Sequence, residues 1–144
     1  MGDRIASRPW HLWLTGLMGV AWNGFGAFDY IMTESRNAAY MAAFPQDQLV
    51  YFYGFPLWAT AGWALGVWGG VAGALLLLLR SHWAVLAFTI SLCGLAIATI
   101  YQMAAPIPAS LRTAEALAMT GAIWIIALLL LWYTLRMRGR GVLR

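Results

Sequence analysis

Four long apolar stretches divide this sequence, and few polar positions interrupt them. Leu12–Met32, Leu57–Leu79, Ala84–Ala105 and Ala114–Tyr133 are each long enough to cross a bilayer as a helix, which takes ~20 predominantly apolar residues. The first stretch follows a short polar segment with Asp3, Arg4 and Arg8, and so imitates a secretory signal. Its length exceeds the apolar core of a signal peptide, so the pattern predicts an uncleaved first helix, with Trp10 and Trp13 at its interface. Pro106 and Pro108 stop the third helix, and Ser110, Arg112 and Glu115 form a short link to the fourth.

Residues 33–56 break the pattern. Glu34, Arg36, Asn37, Gln46, Asp47 and Gln48 alternate with Tyr40, Phe44, Tyr51, Phe52, Tyr53 and Phe55. The segment is too polar to span and too aromatic for a solvated loop. It predicts an amphipathic hairpin lying at the membrane interface, rings toward lipid and charges toward water. Arg36–Phe44 reads as one short helix. Pro45 reads as the start of another, with Asp47 suited to the first-turn dipole, before Gly54 and Pro56 end it.

Within the apolar stretches, small residues recur at helical spacing. Gly16, Gly19, Asn23, Gly26 and Tyr30 share one face of the first helix. Gly62, Gly66 and Gly70 make a repeated GxxxG in the second, and Gly69 and Gly73 extend it. Ala84, Ala87, Ser91, Gly94, Ala98 and Tyr101 repeat every three or four residues in the third, a further stripe. Helix association in lipid relies on close backbone contact, so these stripes predict packing faces. The glycine face of the second helix is expected to meet the stripe of the first. Leu75 to Leu79 is expected to face lipid.

Composition agrees with a lipid-embedded fold. Sixty-two per cent of the 144 residues are hydrophobic and 10% are charged, more apolar surface than a soluble single domain of this size can hide. The net charge is +4, and all nine basic residues are arginine. With four spans, Arg4, Arg8, Arg80, Arg136, Arg138, Arg140 and Arg144 fall on one side, and Arg36 and Arg112 on the other. The positive side stays cytoplasmic, so both termini are expected inside and the hairpin outside. The basic tail is explained by orientation and anionic lipid rather than by nucleic acid.

Candidate chemistry is sparse. One cysteine, Cys93, excludes an intrachain disulfide and a CxxC centre, and reads as a small packed apolar residue. His11 and His82 sit at helix ends, where haem ligation has no partner pair, and no cluster has metal-ligand spacing. No nucleophile–base set can be assembled, so an enzyme ranks last and no cofactor is expected. Asp29 is the sharpest feature, because a carboxylate in a span is costly unless paired, hydrated or protonated. It marks a proton or ligand site with Asn23, Tyr101 and Gln102. Its alternative is structural: pairing with Arg36 or Arg112, or capping the hairpin. Asn23 reads equally as polar glue between helices. Trp58, Trp63 and Trp68 either line a site or fill gaps.

The strings WNGFGAFDYIMTESRNAAYMAAF and QLVYFYGFPLWATAGWALGVWGG, within Trp22 to Val85, resemble a group of small bacterial four-span proteins labelled sugar transporters. The resemblance implies a bacterial multi-pass protein and tilts toward transport. The sequence thus predicts one all-α domain over 1–144: a polytopic four-helix membrane bundle with an interfacial hairpin between its first two helices. It would bind or carry a small polar, sugar-like molecule, as a homo-oligomer where one bundle offers too little room. The alternative is an accessory subunit of a larger respiratory or photosynthetic membrane assembly.

Overall fold

The computed structural model describes residues 8–144. Asp3, of the polar leading segment, and Arg4, counted for the orientation, lie outside the described residues. The fold is all-α, with helices α1 (Trp10–Glu34), α2 (Ala38–Met41), α3 (Gln46–Tyr53), α4 (Leu57–Leu78), α5 (Trp83–Ala104) and α6 (Ala114–Gly139), and a 3-10 turn at Ala109–Leu111. No strand occurs among the described residues.

Three helices, α4, α5 and α6, are long and apolar enough to cross a membrane. α1 is comparably long, but Asn23, Asp29, Glu34 and the glycines at 16, 19, 24 and 26 dilute it, and it falls below that standard. Four apolar spans were expected; by length and composition, three are present. Proline sets the helix starts, with Pro9, Pro45 and Pro56 at the N-caps of α1, α3 and α4. α6 instead starts at Thr113, whose hydroxyl accepts from the Ala116 amide at 3.2 Å. α6 also runs six residues past the expected Tyr133. Arg136 and Arg138 in its last turn suit the negative end of the helix dipole.

α1 runs antiparallel beside α4 in a constant register: Gly16 faces Leu78, Gly19 faces Ala74, Asn23 faces Gly70 and Gly26 faces Val67. The α4–α5 pair is tighter and also antiparallel. Gly62 faces Ile97, Gly66 faces Gly94 and Leu95, Gly69 faces Ser91 and Gly73 faces Phe88. Most of the α4 glycines therefore meet α5 and not, as expected, α1; Gly70 is the exception. The physical reason is mutual thinness. Gly94 of α5 sits against the Gly66 amide and the Gly62 carbonyl, an approach only a residue without Cβ allows. The Ser91 hydroxyl then reaches across to donate to the Gly66 carbonyl at 2.5 Å. On α1, by contrast, the glycines receive bulky side chains, Leu78 on Gly16 and Val67 on Gly26.

The Leu75–Leu79 run does not face outward as a block. Leu77 is fully buried, and Leu78 covers Gly16; Leu75 and Leu79 are exposed. Leu77 joins Leu12, Ala74, Phe88, Leu130, Met137, Val142 and Leu143 in the main core, which sits at the end of the bundle that holds the α4–α5 turn. The C-terminal segment closes this end. Gly141, at φ +68°, turns the chain back after α6, and the Val142 amide caps the Met137 carbonyl at 3.0 Å. The Arg144 amide donates to the Arg80 carbonyl at 2.7 Å, and the His82 amide to the Arg144 carbonyl at 2.8 Å. Arg80 Nε donates to the Val142 carbonyl at 2.9 Å. The tail, read from the sequence only for its basic residues, also buries Val142 and Leu143. The start of α1 joins the same end through His11 Nδ1 and the Tyr133 hydroxyl, 2.5 Å apart.

The opposite end carries the hairpin. The expected helix over Arg36–Phe44 shortens to one turn, α2, capped by the Asn37 side chain, which accepts from the Tyr40 amide at 3.0 Å. The hairpin is tied to the α5–α6 link by Asp47, which accepts from the Ser110 hydroxyl at 2.7 Å. That hydroxyl, with nearby amides, holds the Asp47 carboxyl below its usual range. Cys93, expected to be packed, is exposed on the outer face of α5.

Candidate functional site

Between the hairpin and the core end, α1, α4, α5 and α6 do not close on one another. They leave a partly enclosed cavity of ≈ 490 Å³, within the range of small-ligand sites. α1 supplies Trp22, Asn23, Phe25, Gly26 and Asp29; α4 supplies Trp63, Gly66 and Val67. α5 adds Phe88, Ser91, Leu95, Ala98 and Gln102, and α6 adds Met119, Ile123, Ile126, Ala127 and Leu130. The hairpin roofs it with Tyr40, Phe44, Phe52 and Phe55. Its rings thus turn toward the bundle, where lipid contact was expected.

The cavity exists because α6 packs less closely than the other helices. α6 touches α5 through the Trp124 indole, which donates to Thr99 Oγ1 at 3.2 Å, and touches α1 where Leu130 covers Gly19. A second, more open groove follows the α1–α6 seam, lined by Thr15, Met18, Ala21, Leu129, Trp132 and Tyr133 among others. It shares Trp22, Phe25, Ile126 and Leu130 with the cavity, so one wall of side chains separates the two.

Three of the four expected ligand residues, Asn23, Asp29 and Gln102, come together in this lining. Tyr101 does not. It turns away, its ring 4.6 Å from Phe55 and 5.7 Å from Trp58 between centroids. Asn23 donates to the Gly19 carbonyl at 2.8 Å, and its carbonyl end fills the space over Gly70. Its donor is thus spent on its own helix, where the glue reading expected a bond to a neighbouring one. The Gln102 side-chain amide has no hydrogen-bond partner among the described residues. Trp63 lines the cavity, edge-on to Tyr30 at 5.1 Å, whereas Trp58 and Trp68 are largely exposed.

Asp29 accepts a 2.7 Å hydrogen bond from the Tyr40 hydroxyl. Arg36, one expected partner, lies over the Tyr53 ring at 4.5 Å, and Arg112, the other, donates to the Ile107 carbonyl at 3.0 Å. Asp29 thus bonds to neither arginine but to a hairpin side chain, tying α1 to α2. Tyr40 was not singled out from the sequence. A usable signal was there: a phenol eleven residues past Asp29, beyond a single turn, is within reach of its carboxylate. Tyr40 also packs edge-on to Phe28 at 5.6 Å and beside Phe44 at 5.4 Å.

Burial first, and then the bond to Asp29, push the Tyr40 phenol up to about 12. The hydroxyl stays a donor across the physiological range. A group whose pKa is raised on folding stabilises the fold below its unfolded value and loses that contribution as pH rises through the folded value. Hairpin stability is expected to be flat up to about pH 10, the ordinary tyrosine value, and to fall between there and about 12. Amide hydrogen exchange over residues 37–53 checks this. Tyr40→Phe removes a hydrogen bond to a charged group, worth about 1.5–3 kcal/mol, and is expected to shrink the alkaline transition, leaving the part due to the partly buried Tyr51 phenol, while raising exchange in the hairpin.

No group of three or more His, Cys, Asp or Glu gathers among the described residues. The chain matches no known family model, no curated protein and no solved structure.

Proposed function

We propose that this chain is a small multi-pass protein of a bacterial cytoplasmic membrane that binds a membrane-soluble small molecule between its helices. In this reading α1 crosses the membrane together with α4, α5 and α6. Its constant register along α4 supports that, since a helix lying flat on the surface could not follow α4 from Gly16 to Gly26. Both termini are cytoplasmic. Arg8, Arg80, Arg136, Arg138, Arg140 and Arg144 gather at the core end, and Arg36 and Arg112 at the hairpin end, in keeping with the positive-inside bias.

The observation that carries the binding reading is the cavity itself. Its lining is mostly aromatic and aliphatic, with Asn23, Asp29, Ser91, Gln102 and Tyr40 as the polar minority. A sugar needs a hydrogen-bond partner for nearly every hydroxyl, and Ser91, Asn23 and Tyr40 are already engaged. The lining suits a mainly apolar body with one polar head better than it suits the sugar the sequence resemblance implies. The α1–α6 groove offers such a molecule a sideways path from the bilayer. Transport is the extension of this reading in which the bound molecule is passed across.

Mass spectrometry of small molecules that co-purify in mild detergent tests it. An apolar-bodied compound is expected with the wild type and is expected to be lost from Ala127→Trp, which places an indole in the cavity. Equal recovery from both proteins would contradict the reading.

A second reading, a docking subunit or homo-oligomer, is favoured by α6. Only 6% of its most apolar stretch is buried, against 28% in α4 and α5. The mass of the purified particle separates the two forms: a multiple of one chain indicates a homo-oligomer, and foreign chains indicate a subunit.

A further inference from the structure

Asp29 places a carboxylate in a wall of rings. One oxygen takes the Tyr40 hydroxyl, but a neutral donor does not cancel a formal charge. No basic side chain among the described residues pairs with it; the two that sequence proximity offered, Arg36 and Arg112, are engaged at Tyr53 and Ile107. Asp29 is part-buried, and a carboxylate drawn further from water by a bound ligand requires a cation to offset its desolvation. Around the same hairpin-side wall, Phe52, Phe55 and Trp63 lie 5.8–6.2 Å apart between centroids, and Tyr40 and Phe44 lie 5.4 Å apart. Aromatic faces attract cations that carry little hydration of their own. Deeper in the cavity the lining is apolar, with Phe88, Leu95, Ile123 and Ile126.

We infer that the cavity's ligand class is a lipophilic organic cation, such as a quaternary ammonium, a phosphonium or a protonated amine on an apolar body. Its charge sits at Asp29 against the aromatic roof, and its apolar groups lie between α5 and α6. This rests on the cavity-binding reading and adds the sign of the ligand's charge. A neutral amphiphile would leave the Asp29 charge unmatched, and an anion would be repelled by it.

The test is equilibrium dialysis in mild detergent with two ions of nearly equal shape and opposite charge, tetraphenylphosphonium and tetraphenylborate. The wild type is expected to bind the phosphonium at least about tenfold more tightly than the borate, the factor set by some 1.4 kcal/mol of charge recognition. Asp29→Asn keeps an acceptor for the Tyr40 hydroxyl and removes the charge, so it is expected to abolish that preference while circular dichroism stays unchanged. Ala127→Trp is expected to weaken both ions. Equal binding of the two ions, lowered by Ala127→Trp, would overturn the cationic inference and leave the cavity reading standing. Phosphonium binding insensitive to Ala127→Trp would overturn both. The comparison of the two ions on the wild type decides the matter even where Asp29→Asn does not fold.

Discussion

Gly94→Leu is expected to destabilise the bundle by roughly 3 kcal/mol, at the upper end of what overpacking costs, and to free α5 from α4. At Gly94 the obstacle is backbone: a Cβ there would run into the Gly66 amide, the Gly62 carbonyl and the Leu65 side chain. Rotating a side chain cannot relieve such a clash, so the helices must separate along their length. Separation also forfeits the Ser91–Gly66 hydrogen bond, which across membrane helices contributes about 0.6 kcal/mol on average. Gly121→Ala is the matched control. Nothing lies within 4 Å of a Cβ at that position, and alanine favours a helix over glycine by up to about 1 kcal/mol. Unfolding by sodium dodecyl sulfate from mild detergent, followed by circular dichroism, measures both. A strong loss at Gly94 and none at Gly121 is the expected pair.

Leu77→Ala is expected to cost about 2–3 kcal/mol, the lower part of the range for leucine truncation in a core. Leu77 is fully buried among Leu12, Met137, Val142 and Leu143. In lipid the transfer of its methyl groups contributes little, because acyl chains are as apolar as the core. What remains is lost packing and the hole left behind. Leu79→Ala, two residues on and 75% exposed, is expected to stay within about 0.5 kcal/mol. Unequal effects along one leucine run would show that this end is held by packing rather than by hydropathy, and the same denaturation series supplies the numbers.

The leucines also show where the sequence runs out as a guide. Hydropathy places both ends of α1, α4 and α5 and the start of α6 closely, because lipid demands length and apolarity and prolines precede α1 and α4; it misses the basic last turns of α6. It does not say which side of a helix faces inward, since leucine suits core and lipid alike. Leu77 and Leu79 look the same on paper. Glycine spacing did mark close approach, but the residues of α4 at 62, 66, 69, 70 and 73 spread over more than one face. Which partner takes which face depends on the partner: Gly94 and Ser91 made α5 the closer neighbour. Asp29 stood out because charge in a span is rare. Its partner Tyr40 did not, because an interfacial tyrosine is ordinary. The buried Val142 and Leu143 could have been read from a glycine followed by two apolar residues after a basic stretch, a pattern that stops a helix and turns back.

The site depends on α1, which is diluted by Asn23, Asp29 and its glycines and yet supplies a full wall of the cavity. A split fluorescent reporter that completes only in the cytoplasm tests most directly whether α1 crosses the membrane. Fusions at the N-terminus and at the C-terminus are both expected to fluoresce, and an insertion between Ala42 and Pro45 is expected to stay dark. Fluorescence at one terminus alone would mean three crossings, with α1 outside the bilayer core and no fourth wall to the site.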